Sequence, residues 1–267
     1  MTDVQAAGVT GETSGERVAG AAAPVTRRVA AQGTFEMRAV LRNGEQVMVT
    51  VLLPLILLVG LARATFVAFD TGGASRIDLV TPGVLAFALM SSAFTSPAIT
   101  TAFDRRNGVL RLMATTPLGP GGLLAGKLVG VLAVQVAQVV VVGGVALALG
   151  WHPHAAGVVA ALVAWLLGTA AWGAAALLAA GRVRAEAVIA LANLVLVLLA
   201  FGGVVLPASV LPAGAAQVVG WLPSGALGEA LRTALLDGAW GWRPLVVLAA
   251  WAAILSAGAA RWFRWSS

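Results

Sequence analysis

Cysteine is absent and histidine occurs only twice in the 267 residues. Disulfides and thiolate metal sites are therefore excluded, and His152 and His154, flanking Pro153 with no carboxylate beside them, make a poor metal site. Charge is scarce as well: charged residues form 10% of the chain, against about 25% in an ordinary soluble domain. So few charges cannot cover a soluble surface. What fills the chain instead is apolar, 60% of all residues. At roughly 20 residues per bilayer crossing, that supplies about six helical spans with loops to spare. The fold class expected is an all-α polytopic membrane protein.

Residues 1–33 are rich in Ala, Gly and Thr, carry no apolar run, and are expected to form a disordered cytoplasmic tail rather than a signal peptide. Residues 34–267 then form the transmembrane domain. It opens with Thr34–Arg42, where Phe35, Val40 and Leu41 alternate with Glu36, Arg38 and Arg42, a pattern for a short amphipathic helix at the membrane surface.

Gaps between charges mark the spans. Gln46–Phe69, crossed by the single charge Arg63, is the first, and Leu79–Phe103 the second. Leu128–Gly181 holds 54 uncharged residues, too many for one crossing, and the turn signal Gly150-Trp151-His152-Pro153-His154 divides it into spans three and four. Ala187–Gly228 begins as span five. Its second half, 207–228, is interrupted by Pro207, Pro212 and Pro223, which suits a re-entrant or broken segment shielded by protein, with a seventh span as the alternative. Leu245–Ala260 is the last span. Segments 1–45, 104–127, 182–186 and 261–267 hold five, four, two and two Lys/Arg, while the other loops hold four in all (Arg63, Arg76, Arg232, Arg243). The positive-inside rule then places both termini in the cytoplasm. The whole net charge of +6 falls on the inner side, so it reports orientation and no nucleic-acid partner.

Gly121–Lys127 fits the phosphate-loop spacing, but Leu128 stands where magnesium needs Ser or Thr, and no strand precedes it. Lys127 reads as an inner-face anchor of span three. Within the spans, Ser92, Thr95, Gln135, Gln138 and Asn193 are suited to interhelical hydrogen bonds or to lining a substrate path. Arg63 is placed to snorkel outward or to pair with Asp70 or Asp78.

The stretch Phe103-Asp104-Arg105-Arg106-Asn107-Gly108-Val109-Leu110-Arg111-Leu112-Met113-Ala114-Thr115-Thr116-Pro117 gathers charge at its start, apolar residues behind it, and a terminating proline. With the Gly126-Lys127 that opens the next span, it resembles the permease subunits of the ABC-2 export family. Asn193, the proline-broken stretch and Arg232 add to the resemblance, which covers roughly residues 35–265. It implies that the loop between spans two and three is a coupling helix docked on a separate ATPase, with Asp104, Arg105, Arg106, Gly108, Leu112, Thr116 and Pro117 at that contact. It also implies a second permease copy or a paralogue as partner, with ATP and magnesium on the ATPase chain and no cofactor on this one.

The expected function is thus the membrane subunit of an ATP-driven exporter in a bacterial cytoplasmic membrane, moving a hydrophobic or amphipathic cargo such as a drug, antibiotic or lipid. The alternative is an ion-coupled secondary transporter or channel subunit. An intramembrane enzyme is disfavoured, since the spans contain no Asp, Glu or His to do chemistry.

Overall fold

The computed structural model describes residues 23–64, 73–201, 204–205 and 211–263. Among these residues every regular element is helical. In chain order they are α1 (Val25–Arg42), α2 (Gly44–Val47), a π-helical turn (Met48–Leu52), α3 (Leu53–Arg63), α4 (Arg76–Arg106), α5 (Val109–Ala114), α6 (Gly119–Ala148), a 3₁₀ turn (Ala155–Gly157), α7 (Val158–Arg182), α8 (Ala185–Phe201), α9 (Ala213–Trp221), α10 (Pro223–Asp237) and α11 (Trp242–Trp262).

Four helices are long and apolar enough to cross a membrane: α4, α6, α7 with the 3₁₀ turn before it, and α11. At 1.5 Å per residue even the shortest, α11, spans about 30 Å, the thickness of a bilayer core. Two shorter apolar helices, Met48–Arg63 and Ala185–Leu199, stand where the first and fifth spans are expected. The chain breaks between α6 and α7 at Gly150–His154, as the turn signal indicates; Gly150 adopts φ +92°, open to glycine and costly for other residues.

Helix α4 is the centre of the bundle. It is buried along most of its length and packs on α6, α7, α8 and α10. Its first turn is capped by Ser75, whose hydroxyl accepts from the Asp78 amide at 3.3 Å, and its last turn carries Arg105 and Arg106, matching the helix dipole. Helices α6, α7 and α11 instead bury only about a third of their most apolar windows and turn the rest outward, where hydrocarbon costs nothing.

Two features of the fold go beyond the expectation. First, α1 begins at Val25, so residues 25–33 of the expected tail are helical; residues 1–22 lie outside the described residues. Helix α1 does not stand apart from the bundle. It runs along the first half of α6, with Gln32 against Gly126, Gly33 against Val129 and Glu36 against Gly130. A Cβ on Gly33, Gly126 or Gly130 would come within 2.6 Å of the facing side chain, so the seam exists because these positions carry none. The sequence pattern hid this face, because it is made of Gln, Gly and Glu rather than apolar residues.

Second, residues 213–237 form a helix pair. Leu222 breaks it, Pro223 opens α10 at its first turn, and Gly238 ends α10 in the left-handed conformation. The junction is pinned where the indole of Trp251 donates to Trp221 O at 2.8 Å, nine residues into α11. The far end of α10 returns to the α6–α7 turn, where the His154 amide donates to Leu235 O at 2.9 Å. A Cβ on Gly157 would lie 1.7 Å from Ala234 O, so the start of α7 and the backbone of α10 are in direct contact.

Candidate functional site

The charged end of the bundle collects the C-terminal ends of α4 and α7, the N-terminal ends of α6 and α8, and all of α5. Helix α4 stops at Asn107, whose amide donates to Phe103 O at 2.8 Å, and Gly108 takes φ +74° to turn the chain into α5. Helix α5 is six residues long, stopped by Thr115 and Thr116, whose hydroxyls fold back onto Leu112 O and Met113 O at 2.8 and 2.7 Å. Leu110 is buried and fixes the helix to the bundle. Val109, Arg111 and Leu112 face outward, Leu112 with 69% of its surface exposed. Pro117 is exposed and Thr116 half-buried at the loop that follows.

The charges beside α5 divide into inward and outward groups. Asp104 turns inward and accepts from the Lys127 ammonium at 3.0 Å. The same ammonium lies 3.0 Å from Glu36 Oε1 on α1, and the Lys127 side chain is 8% exposed. Arg105 also turns inward: its guanidinium donates to Gly181 O and, at 2.7 Å, to Val183 O, the free carbonyls at the end of α7. Arg106 stays at the surface, paired with Glu186 at the start of α8 and lying 5.8 Å from the Phe103 ring centre. Asp104 and Arg105 are thus committed to the bundle, and the outward surface is made by α5 itself with Arg106.

The family model described as ABC-2 family transporter protein matches residues 70–261. The chain belongs to the ABC-2 transporter family. No curated protein matches it. The matched stretch runs from just before α4 almost to the end of α11, so the family's membrane domain contains α5, the helix pair and the last span, while α1 to α3 precede it. The protein is accordingly a multi-pass membrane protein of an ABC transporter system.

The polar residues of the spans face into this membrane domain, and Gln135 and Gln138 tie its helices together. Gln135 is fully buried; its amide nitrogen donates to Leu89 O on α4 at 2.9 Å, and its oxygen accepts from Trp165 Nε1 at 2.7 Å and Thr169 Oγ1 at 3.0 Å on α7. Gln138 donates to Thr50 O in the π turn at 2.5 Å and to Ala88 O at 3.3 Å, so the irregular turn of the first apolar helix is met by a side chain from α6. Ser92 is buried and bonds back to Ala88 O and Leu89 O, while Thr95 is half-buried. Asn193 is the exception: it is exposed on α8, beside exposed Leu194, Val197 and Leu198.

Of the alternatives for Arg63, pairing with Asp78 is not formed. Arg63 is exposed at the end of α3, and Asp78 instead accepts from the His152 amide at 2.8 Å and from the Ser75 hydroxyl at 2.6 Å. Asp70 lies outside the described residues. Lys127, expected as an inner-face anchor of span three, is buried and joins three helices. Arg232 is likewise buried, donating to Val204 O at 2.6 Å with Glu229 one turn away. Its guanidinium meets α4 at Gly83, where a Cβ would lie 2.7 Å from the nearer nitrogen. Sequence reasoning assigned no role to Glu36 or Lys127 at this site. The available signal was that Lys127 is the chain's sole lysine and opens a span.

Proposed function

We propose that this chain is the permease subunit of an ATP-binding cassette exporter, with six spans and both termini in the cytoplasm of a bacterial cell. The observation that carries the reading is α5: a short helix held at the charged end by buried Leu110, presenting Val109, Arg111 and Leu112 outward with no partner among the described residues for that face. Such a knob suits the cleft of a separate ATPase, which brings ATP and magnesium. Two copies, or one copy and a paralogue, enclose the path between them. The end of α10 beside the α6–α7 turn supports six spans over seven. An apolar or amphipathic cargo is favoured by the chemistry of the bundle. A groove of about 430 Å³ between α4, α6, α7 and α11 is lined by Ala93, Leu128, Val131, Ala170, Gly173 and Phe263, with few polar groups.

The test is co-purification with a candidate ABC ATPase, followed by ATP hydrolysis and transport assays in lipid. Leu112→Glu and Arg111→Glu alter only exposed side chains, so both are expected to fold normally and to lose assembly or ATP-driven transport. If both variants assemble and transport like the parent, α5 is not the docking helix. Cysteines introduced one at a time as Thr115→Cys and Ala239→Cys, both exposed, test the topology with an impermeant thiol reagent. Ala239→Cys labels from outside in the six-span arrangement and from the cytoplasm in the seven-span one.

A further inference from the structure

Lys127 joins three helices that are far apart in the chain. Its ammonium is shared at 3.0 Å by Glu36 on α1 and at 3.0 Å by Asp104 on α4, four residues before the Gly108 turn into α5. The Glu36 carboxylate is itself held by the Gln32 amide at 2.9 Å. Beside the charges lies the glycine seam, where Gly126 and Gly130 bring α6 against Gln32 and Glu36, and Gly33 brings α1 against Val129. Asn43 then leads α1 into α2, where Gln46 donates to Ser96 on α4 at 3.1 Å, and on into the first apolar helix.

A buried ammonium between two carboxylates resists gradual stretching. Moving either carboxylate away leaves charge without its partner in a poorly solvated place, so the three groups move together or the cluster fails. We infer that Lys127 is a positioning residue that ties α1 to the coupling segment, so that a displacement of α5 is carried through Asp104, Lys127 and Glu36 into α1 and the first apolar helix. This rests on the reading of α5 as the ATPase contact. It adds to the direct route along α4 a second one, through a helix that lies outside the matched family region.

A mere folding staple makes a different prediction, because losing it lowers stability without changing how α1 follows α5. The absence of native cysteine permits spin labels at chosen pairs. Labels at Thr34→Cys and Leu147→Cys report α1 against the far end of α6; labels at Thr115→Cys and Leu147→Cys report the coupling segment against the same reference. The distances are measured in the complex with the partner ATPase, with and without ATP under trapping by vanadate. In the parent protein both distances shift with ATP. In Lys127→Met, and in the milder Glu36→Gln, the α1 shift is expected to fall at least about threefold relative to the α5 shift, within the range of couplings carried by packed networks, and Lys127→Arg restores it. An α1 shift that tracks α5 equally in Lys127→Met overturns the inference while leaving the docking helix intact. If ATP moves neither label in the parent, the docking reading fails. The tie is then decided without the ATPase, by the Thr34→Cys/Thr115→Cys distance distribution. Broadening in Lys127→Met but not in Lys127→Arg supports the tie, and an unchanged width refutes it.

Discussion

Replacing Gln135 by leucine removes the tie between α4, α6 and α7 at nearly constant volume, so polarity changes and packing is largely kept. Three hydrogen bonds disappear: to Leu89 O at 2.9 Å, from Trp165 Nε1 at 2.7 Å, and from Thr169 Oγ1 at 3.0 Å. Two of the stranded groups have other partners. Leu89 O accepts from the Ser92 hydroxyl and Thr169 donates to Trp165 O, so neither is orphaned. Interhelical hydrogen bonds in membrane proteins average about 0.6 kcal/mol and reach about 1.7 kcal/mol, so three of them amount to roughly 2–5 kcal/mol. The Trp165 N–H, left without an acceptor, adds about 1 kcal/mol at the low end of the cost of an unpaired donor. A loss of roughly 3–6 kcal/mol lowers the melting temperature by about 6–24 °C for a chain of this size. The assay uses a thiol-reactive dye with Ala171→Cys, a fully buried position on α7 that reacts only when the bundle opens. A Gln135→Leu protein melting within about 2 °C of its parent refutes the hydrogen-bond account and leaves Gln135 free for a role in the transport path.

Two further expectations follow from contacts of opposite character. Gly157→Ala puts a methyl group 1.7 Å from the backbone oxygen of Ala234, which cannot rotate away, so α10 is displaced at a cost of about 1–3 kcal/mol or more; the same dye assay reads this as earlier melting. Arg106→Glu faces Glu186 across a pair whose side chains are 56% and 64% exposed, so its effect on stability stays below about 1 kcal/mol after solvent screening. Its effect on ATPase assembly is expected to exceed that on melting, and the swap Arg106→Glu with Glu186→Arg separates the surface charge from the pair itself.

The legible parts of the protein were those written locally. The divide at Gly150–His154, the termination of the α4 helix near Gly108 and the breaks at Pro212 and Pro223 all follow from residues adjacent in the chain. The segment 103–117 was singled out for the same reason, since its charges, glycine and proline lie within fifteen residues. The direction of its charges was not legible. Asp104 and Arg105 sit next to Arg106 in sequence, yet the first faces Lys127, the second faces the end of α7, and only the third reaches the surface.

The sequence by itself determined that this is a helical membrane protein, where its long spans lie and which end of the bundle is basic. Hydropathy, turn residues and charge gaps act over a few residues and need no knowledge of what lies opposite. Tertiary structure alone decided that α4 is the buried axis, that α1 starts nine residues early and lies along α6, and that Lys127 joins Glu36 to Asp104. A glycine seam is invisible among 32 glycines until the facing helix is known. Likewise a lysine at the start of a span has the same local signature whether it reaches water or is clasped by two carboxylates. Those carboxylates lie 23 and 91 residues earlier in the chain, and only packing brings them to it.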